Sequence, residues 1–301
     1  MRIRILGTAA GGGVPQWNCA CPGCAAARAD PRLRRRHASL AVEADAGRWY
    51  VVNATPDLGE QIEECPPLRP GPARRHTPVA GVILTDAELD HTLGLPRLRE
   101  APTLRIIATD TVREALCGGL RLDRVLAPYA GLSWATLPHE APEALDGGPL
   151  EIQGITVSGK RPRYAADLDA EPAGDAWVVA LRIRDRRDGK ALVYAPALAA
   201  WPAGLDRALH DADCVFIDGT FWDDEEPRRS GFSQRTAVEM GHLPITGPDG
   251  TAERLAALPA ARRLYTHLNN TNPLVDPADG GHRRLAAMGI DVAREREVIE
   301  L

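Results

Sequence analysis

Short apolar runs punctuated by Gly, Pro and Asp recur along the chain, at residues 2–6, 39–42, 49–53, 79–85, 105–108, 152–157, 178–183, 191–195, 214–218 and 263–266. Their Val, Ile and Leu content reads as β-strands. Between some of these runs the apolar positions widen to a helical spacing: DLGEQIEEC from Asp57, DTVREALCGGL from Asp110, DGTAERLAAL from Asp249 and PADGGHRRLAAMG from Pro277. Strands follow one another early in each half and helices gather later. That order predicts an α/β fold of two packed sheets with helices outside, an αββα sandwich. No repeat of solenoid length interrupts the pattern, and CPPLRPGPARRHTP from Cys65 reads as an exposed loop.

With 301 residues, 44% of them hydrophobic, the chain can bury one large core. Its 36 Lys+Arg against 41 Asp+Glu leave a net charge of −5, which gives no broad electrostatic reason to bind nucleic acid. A small molecule or peptide is the expected partner. No run is long enough to cross a bilayer, and MRIRILG lacks the make-up of a signal peptide, so no membrane contact and a cytoplasmic location are expected. The basic stretch RLRRRH, residues 32–37, reads as a solvated face suited to an acidic peptide or partner.

Six cysteines in a chain of this length do not make a disulfide scaffold, and Cys65, Cys117 and Cys214 read as buried thiols within regular segments. Cys19, Cys21 and Cys24 differ, because C-x-C-x-x-C lets three thiolates converge on one tetrahedral zinc with little backbone ordering. Exposed free thiols are oxidisable and usually avoided, and an iron–sulfur cluster lacks a fourth nearby cysteine. A structural zinc on a loop at about 17–26 is therefore expected, with Asn270 a candidate fourth ligand. Ordering this loop near the surface would create a self-complementary patch, so a homodimer is expected. The preceding GTAAGGG lacks the lysine and Ser/Thr of a phosphate loop and reads as a tight turn near a site rim.

The sharpest signal is GVILTDAELDH, where an apolar strand runs into Asp86, Glu88, Asp90 and His91. These groups are costly to desolvate, so their place at the end of a core strand marks a site. Its bland alternative is a helix start whose carboxylates favour the positive end of the dipole. Strand, TDAELDH and helix start together resemble the metallo-β-lactamase superfamily signature H-x-H-x-D-H. Asp86 and Glu88 stand in place of the first two histidines, and Asp90 and His91 match directly. VVNATPDLG is similar to the superfamily strand that ends in aspartate, here Asp57, and LYTHLNNTNP offers His267 as the final histidine. With GTAAGGGVPQWNCACPGC, IDGTFWDDEE and GHLPI added, the chain resembles the pyrroloquinoline quinone (PQQ) biosynthesis protein B family over nearly its whole length.

The resemblance implies a single αββα metallo-β-lactamase-like domain, 1–301, with Asp57, Asp90, His91 and His267 converging at one sheet edge. The departures bear on chemistry. ITVSGKRPRY supplies no third histidine, and LVYAPALAA has Ala195 and Pro196 where the bridging aspartate of a dinuclear hydrolase is expected. What remains, Asp90, His91 and His267, is the two-His, one-carboxylate set of non-haem Fe(II) oxygenases. Asp86 and Glu88 either ligate, orient water or tune His91. Asp218 and His242 are pocket candidates, the latter otherwise a cap or surface residue. The family resemblance implies iron-dependent hydroxylation of the tyrosine ring in a Glu-Tyr-type, peptide-like PQQ precursor. Competing readings are a carrier of the finished tricarboxylate, for which Lys160, Arg161 and Arg163 offer cations, and a divergent single-metal hydrolase.

Overall fold

The computed structural model describes residues 1–168 and 176–301. Its strands are β1 Arg2–Gly7, β2 Ser39–Asp45, β3 Arg48–Val52, β4 Val79–Ile83, β5 Thr103–Ala108, β6 Gly131–Thr136 and β7 Glu143–Ala144. The later ones are β8 Leu150–Ser158, β9 Val178–Asp185, β10 Ala191–Ala195, β11 Cys214–Asp218, β12 Arg262–Thr266, β13 Asp291–Val292 and β14 Val298–Glu300. They form two sheets, ordered β14-β1-β2-β3-β4-β5-β6 and β13-β12-β11-β10-β9-β8-β7. In each sheet four consecutive strands run parallel out to one edge, β3 to β6 in the first and β10 to β13 in the second.

Side-chain alternation explains the layering. On β3 and β4, Tyr50, Val52 and Ile83 join a core with Leu181, Tyr194 and Phe216 of the other sheet, while Val51 and Val82 face outward to helical residues such as Leu58 and Val112. Strands buried on both faces read as unbroken apolar runs, which is why GVIL shows no polar alternation. Every run read as a strand is one, with ends shifted by a few residues. β6, β7, β13 and β14 escaped that reading because they are short edge strands or, like GLSWAT of β6, only half-buried. The helices Pro22–Ala29 and Ala203–His210, each of eight residues, were not read from the sequence.

Three surface readings are corrected. Residues 35–37 are not a solvated face: Val14 and Ala9 bridge to Arg35 and His37, Arg36 pairs with Glu64, and His37 pairs with Asp57. The segment is drawn in because its backbone completes the extension of β1. The loop from Cys65 begins buried, with Cys65 and Leu68 packed in the core, and Cys117 is partly exposed rather than buried. Among the described residues no helix is long and apolar enough to cross a membrane.

Candidate metal centre

Parallel strands aim their C-terminal ends at a common edge, and ligands gather there. β4 ends at Ile83, and the chain passes through Thr85 and Asp86 into the short helix Leu89–Thr92. Asp86 is buried and fully engaged: Oδ1 accepts from the Glu88 backbone N–H at 2.9 Å, and Oδ2 accepts from Thr85 Oγ1 at 2.8 Å and His91 Nδ1 at 2.7 Å. Asn53, held at φ 67°, locks Thr85 in turn through Nδ2 to Oγ1 at 3.0 Å and Oδ1 to the Thr85 N–H at 3.0 Å. His91 is thus oriented with Nε2 free.

His267 follows β12 at φ 60°, a left-handed conformation that costs a non-glycine residue about 1–3 kcal/mol. The turn is held by Leu268 N–H to Thr8 O and Ala10 N–H to Leu268 O, both to the segment after β1. Thr220 Oγ1 donates to Asp218 Oδ1 at 2.5 Å, so its contact with His267 Nδ1 at 2.8 Å is one in which the imidazole N–H donates. Nε2 therefore carries the lone pair. Asp90 Oδ2 lies 3.4 Å from His267 Nε2 and 3.7 Å from His91 Nε2.

Among the described residues both Nε2 atoms are buried without a hydrogen-bond partner. Leaving such atoms unpaired costs about 1–3 kcal/mol each, and a divalent cation among them removes that cost. The candidate ligand atoms of Asp90, His91 and His267 lie within 4.8 Å of one another, so the residues fit one metal ion. Burial would raise the Asp90 carboxyl, but His91 and then His267 outweigh it and hold Asp90 well below the carboxylate range. Burial likewise opposes the charge on His91, yet the Asp86 and Asp90 carboxylates push its pKa up to about 9. A site this ready to hold a proton is equally ready to hold a cation.

Other expected residues fall outside the triad. Glu88 lines the cavity, and its carboxyl is raised by burial and by repulsion from Asp86 and Asp90. Asp86 holds His91 from behind. Asp57, just after the C-terminal end of β3 and so at the same edge as the triad, is not grouped with it as a candidate ligand: it pairs with His37, Nδ1 to Oδ2 at 3.2 Å, at the start of the helix Leu58–Glu64. Asp218, His242 and His267 form a second group with ligand atoms within 4.8 Å. Asp218 is already saturated, accepting from Thr220 N and Oγ1, Leu198 N and His242 Nδ1. Its carboxyl, which burial would raise, is held low by the His242 imidazole.

A cavity of about 670 Å³ opens over the triad. Gly11 and Gly12 line it, and a Cβ at Gly11 would stand 3.4 Å from Asp90 Oδ2, crowding the approach. Nearby, Asn270 Nδ2 donates to Cys19 Sγ at 3.1 Å and Cys21 Sγ at 3.4 Å, and Cys21 Sγ contacts Asn270 O at 3.3 Å. Cys19, Cys21 and Cys24 bring their sulfur atoms within 4.8 Å of one another. Burial pushes the Cys24 thiol up to about 11, so metal capture there must displace a proton.

Residues 48–268 match the Beta-lactamase superfamily domain. Coenzyme PQQ synthesis protein B of Cupriavidus necator is 41% identical over 309 residues, covering 99% of each chain. The chain belongs to the PQQ synthesis protein B family. Zn(2+)-bound PqqB from Methylobacterium extorquens has the same metallo-β-lactamase fold, with a TM-score of 0.89, 33% identity and 100% of both chains covered. A diphosphatase of the PhnP family shares the fold alone, at TM-score 0.71 and 18% identity over 100% of this chain and 97% of that one.

Sequence reasoning missed the residues that aim the triad. Asn53, Thr85 and Thr220 carry no charge and sit in ordinary strand-end positions. Only an asparagine before a turn, a residue type that tolerates left-handed backbone, hinted at Asn53.

Proposed function

We propose that the protein acts in coenzyme PQQ synthesis as a non-haem, Fe(II)-dependent oxygenase that hydroxylates the tyrosine ring of a Glu-Tyr-type precursor. The observation that carries this reading is the pair of buried, unpartnered Nε2 atoms beside the Asp90 carboxylate. Two imidazoles and one carboxylate leave open positions for dioxygen and substrate. The strand end where a bridging carboxylate would stand is Ala195, which speaks against a two-metal hydrolase. Fe(II) supplies the redox chemistry with dioxygen. One oxygen atom enters a ring C–H bond as hydroxyl and the other leaves as water, using two protons and two electrons from an external reductant.

The chain's own residues do the positioning. Asp86 holds the His91 ring, Thr220 fixes the His267 tautomer, and Phe221 and Phe232 offer an aromatic wall. The reading takes 1–301 as one unit, working as a cytoplasmic homodimer with a structural zinc on Cys19, Cys21 and Cys24. It is tested by anaerobic loading with Fe(II), then reductant, labelled dioxygen and a Glu-Tyr-type peptide, followed by mass spectrometry. Label in the ring is expected. Absence of label together with cleavage of a phosphodiester or lactone overturns the reading in favour of the hydrolase, the alternative favoured by the Asp218–His242–His267 group.

A further inference from the structure

The cavity over the triad has two chemically different parts. Of its three acids two are internally compensated: Asp86 is bonded to His91 and Asp90 lies against both triad imidazoles, while the Glu88 carboxylate has no hydrogen bond or ion pair among the described residues. Its four cations are not equivalent. Lys160 Nζ donates to Met240 O at 2.6 Å, and the Arg161 guanidinium lies over the Trp177 ring at 5.1 Å. Arg163 and Arg235 also line the cavity, and among the described residues neither guanidinium has a hydrogen bond, an ion pair or a ring partner. By contrast, Arg228 and Arg229, just before Arg235 in the chain and also exposed, are both paired with carboxylates. Among the described residues unpaired guanidiniums also occur elsewhere, as at Arg74, Arg124 and Arg207, so what sets Arg163 and Arg235 apart is their place on the cavity.

The aromatic residues are equally uneven. The chain has only 3 phenylalanines, and two of them, Phe221 and Phe232, line this cavity. Their rings stack at 6.1 Å and 24°, with Phe232 still 48% exposed. A divalent cation on the triad would add two further positive charges to a space that holds four cations against three acids, two of them already engaged, and such a cleft gathers anions. Each guanidinium presents a fork of N–H donors matched to a carboxylate.

We propose that Arg163 and Arg235 are the specificity-determining residues of this cavity, each taking one carboxylate of a ligand whose aromatic ring rests on Phe232. The inference rests on the cavity being the substrate site, as in the reading above, and adds the chemical class that the site selects: an aromatic dicarboxylate. Lys160 and Arg161, already engaged, shape the wall.

Calorimetric titration of the anaerobic Fe(II)-loaded protein with the dipeptide Glu-Tyr, and with Gln-Tyr-amide as its carboxylate-free counterpart, tests this without turnover. The parent is expected to prefer the dicarboxylate by about 10- to 100-fold. Arg163→Gln and Arg235→Gln should each weaken Glu-Tyr binding about tenfold and leave the amide unchanged, with lysine at either position restoring part of the loss. The double variant should bind both probes alike. In turnover, KM should rise while kcat holds. Near-UV circular dichroism and retained metal content show that the variants are folded. A parent that binds both probes equally, or neither, overturns the proposal, as does a double variant that keeps the preference. Carboxylate preference without ring hydroxylation would sink the oxygenase reading alone, and hydroxylation without that preference would sink the carboxylate assignment alone.

Discussion

Two residues separate His267, whose ring belongs to the triad, from Asn270, whose amide touches the sulfur atoms of Cys19 and Cys21, yet the two places are built differently. The triad is assembled from the ends of strands in both sheets, and its imidazoles are fixed by Asp86, Thr85 and Thr220 whether or not a cation is bound. The cysteine cluster comes from six consecutive residues, 19–24, that run from a loop into the helix Pro22–Ala29, and of the three only Cys24 is buried. The first is assembled by packing across two sheets, whereas the second rests on one local segment. The segment 269–272 joins them, held by Thr271 Oγ1 donating to the buried Glu226 at 2.6 Å and Asn272 Nδ2 donating to Gly219 O at 2.8 Å.

If the two places are separable in this way, His91→Ala or His267→Ala should abolish metal binding at the triad and Fe(II)-dependent oxygen uptake while one zinc per chain stays on the cysteines. Elemental analysis alongside an oxygen electrode checks this, and loss of both metals would erase the distinction. Changing Cys19, Cys21 and Cys24 together to serine should remove the zinc, weaken the homodimer and lower the melting temperature by several degrees, while the folded fraction still loads iron at the triad. Calorimetry and size-exclusion chromatography read these effects.

Glu226→Gln probes the join. Burial pushes the Glu226 carboxyl up to about 7 from 4.5, so its contribution to stability is present below pH 4.5 and is lost as pH rises through 7. Glutamine mimics the protonated form. The variant should match the parent near pH 4 and exceed it by roughly 3 kcal/mol at pH 8, measured by urea unfolding; a constant difference across pH would refute this account. The smallest expected effect is that of Asp86→Asn, which keeps the shape around His91 but removes the charge behind it. Affinity at the triad should fall about 10- to 100-fold, with cysteine-bound zinc untouched. An unchanged iron-binding isotherm would show that Asp86 serves packing alone.

The apolar runs of β1 to β5 and β8 to β12 were legible along the chain because each strand buries at least one face, and β10 and β11 bury both. The acidic turn after β4 was legible because charge is rarely placed there without a use. Cys19, Cys21 and Cys24 were legible because their spacing is local. Folding decided matters that no local pattern carries. Asp57 pairs with His37 at the start of the helix Leu58–Glu64 rather than joining the ligand atoms of the triad. Asp86 is the carboxylate that holds His91 from behind, and Asp90 is the one that faces both imidazoles. Asn53, Thr85 and Thr220 became visible only as hydrogen-bond partners across 32 to 47 residues of chain. A residue's chemical type is written in the sequence, but which lone pair it leaves free depends on neighbours that only the packing of the two sheets brings within 3 Å.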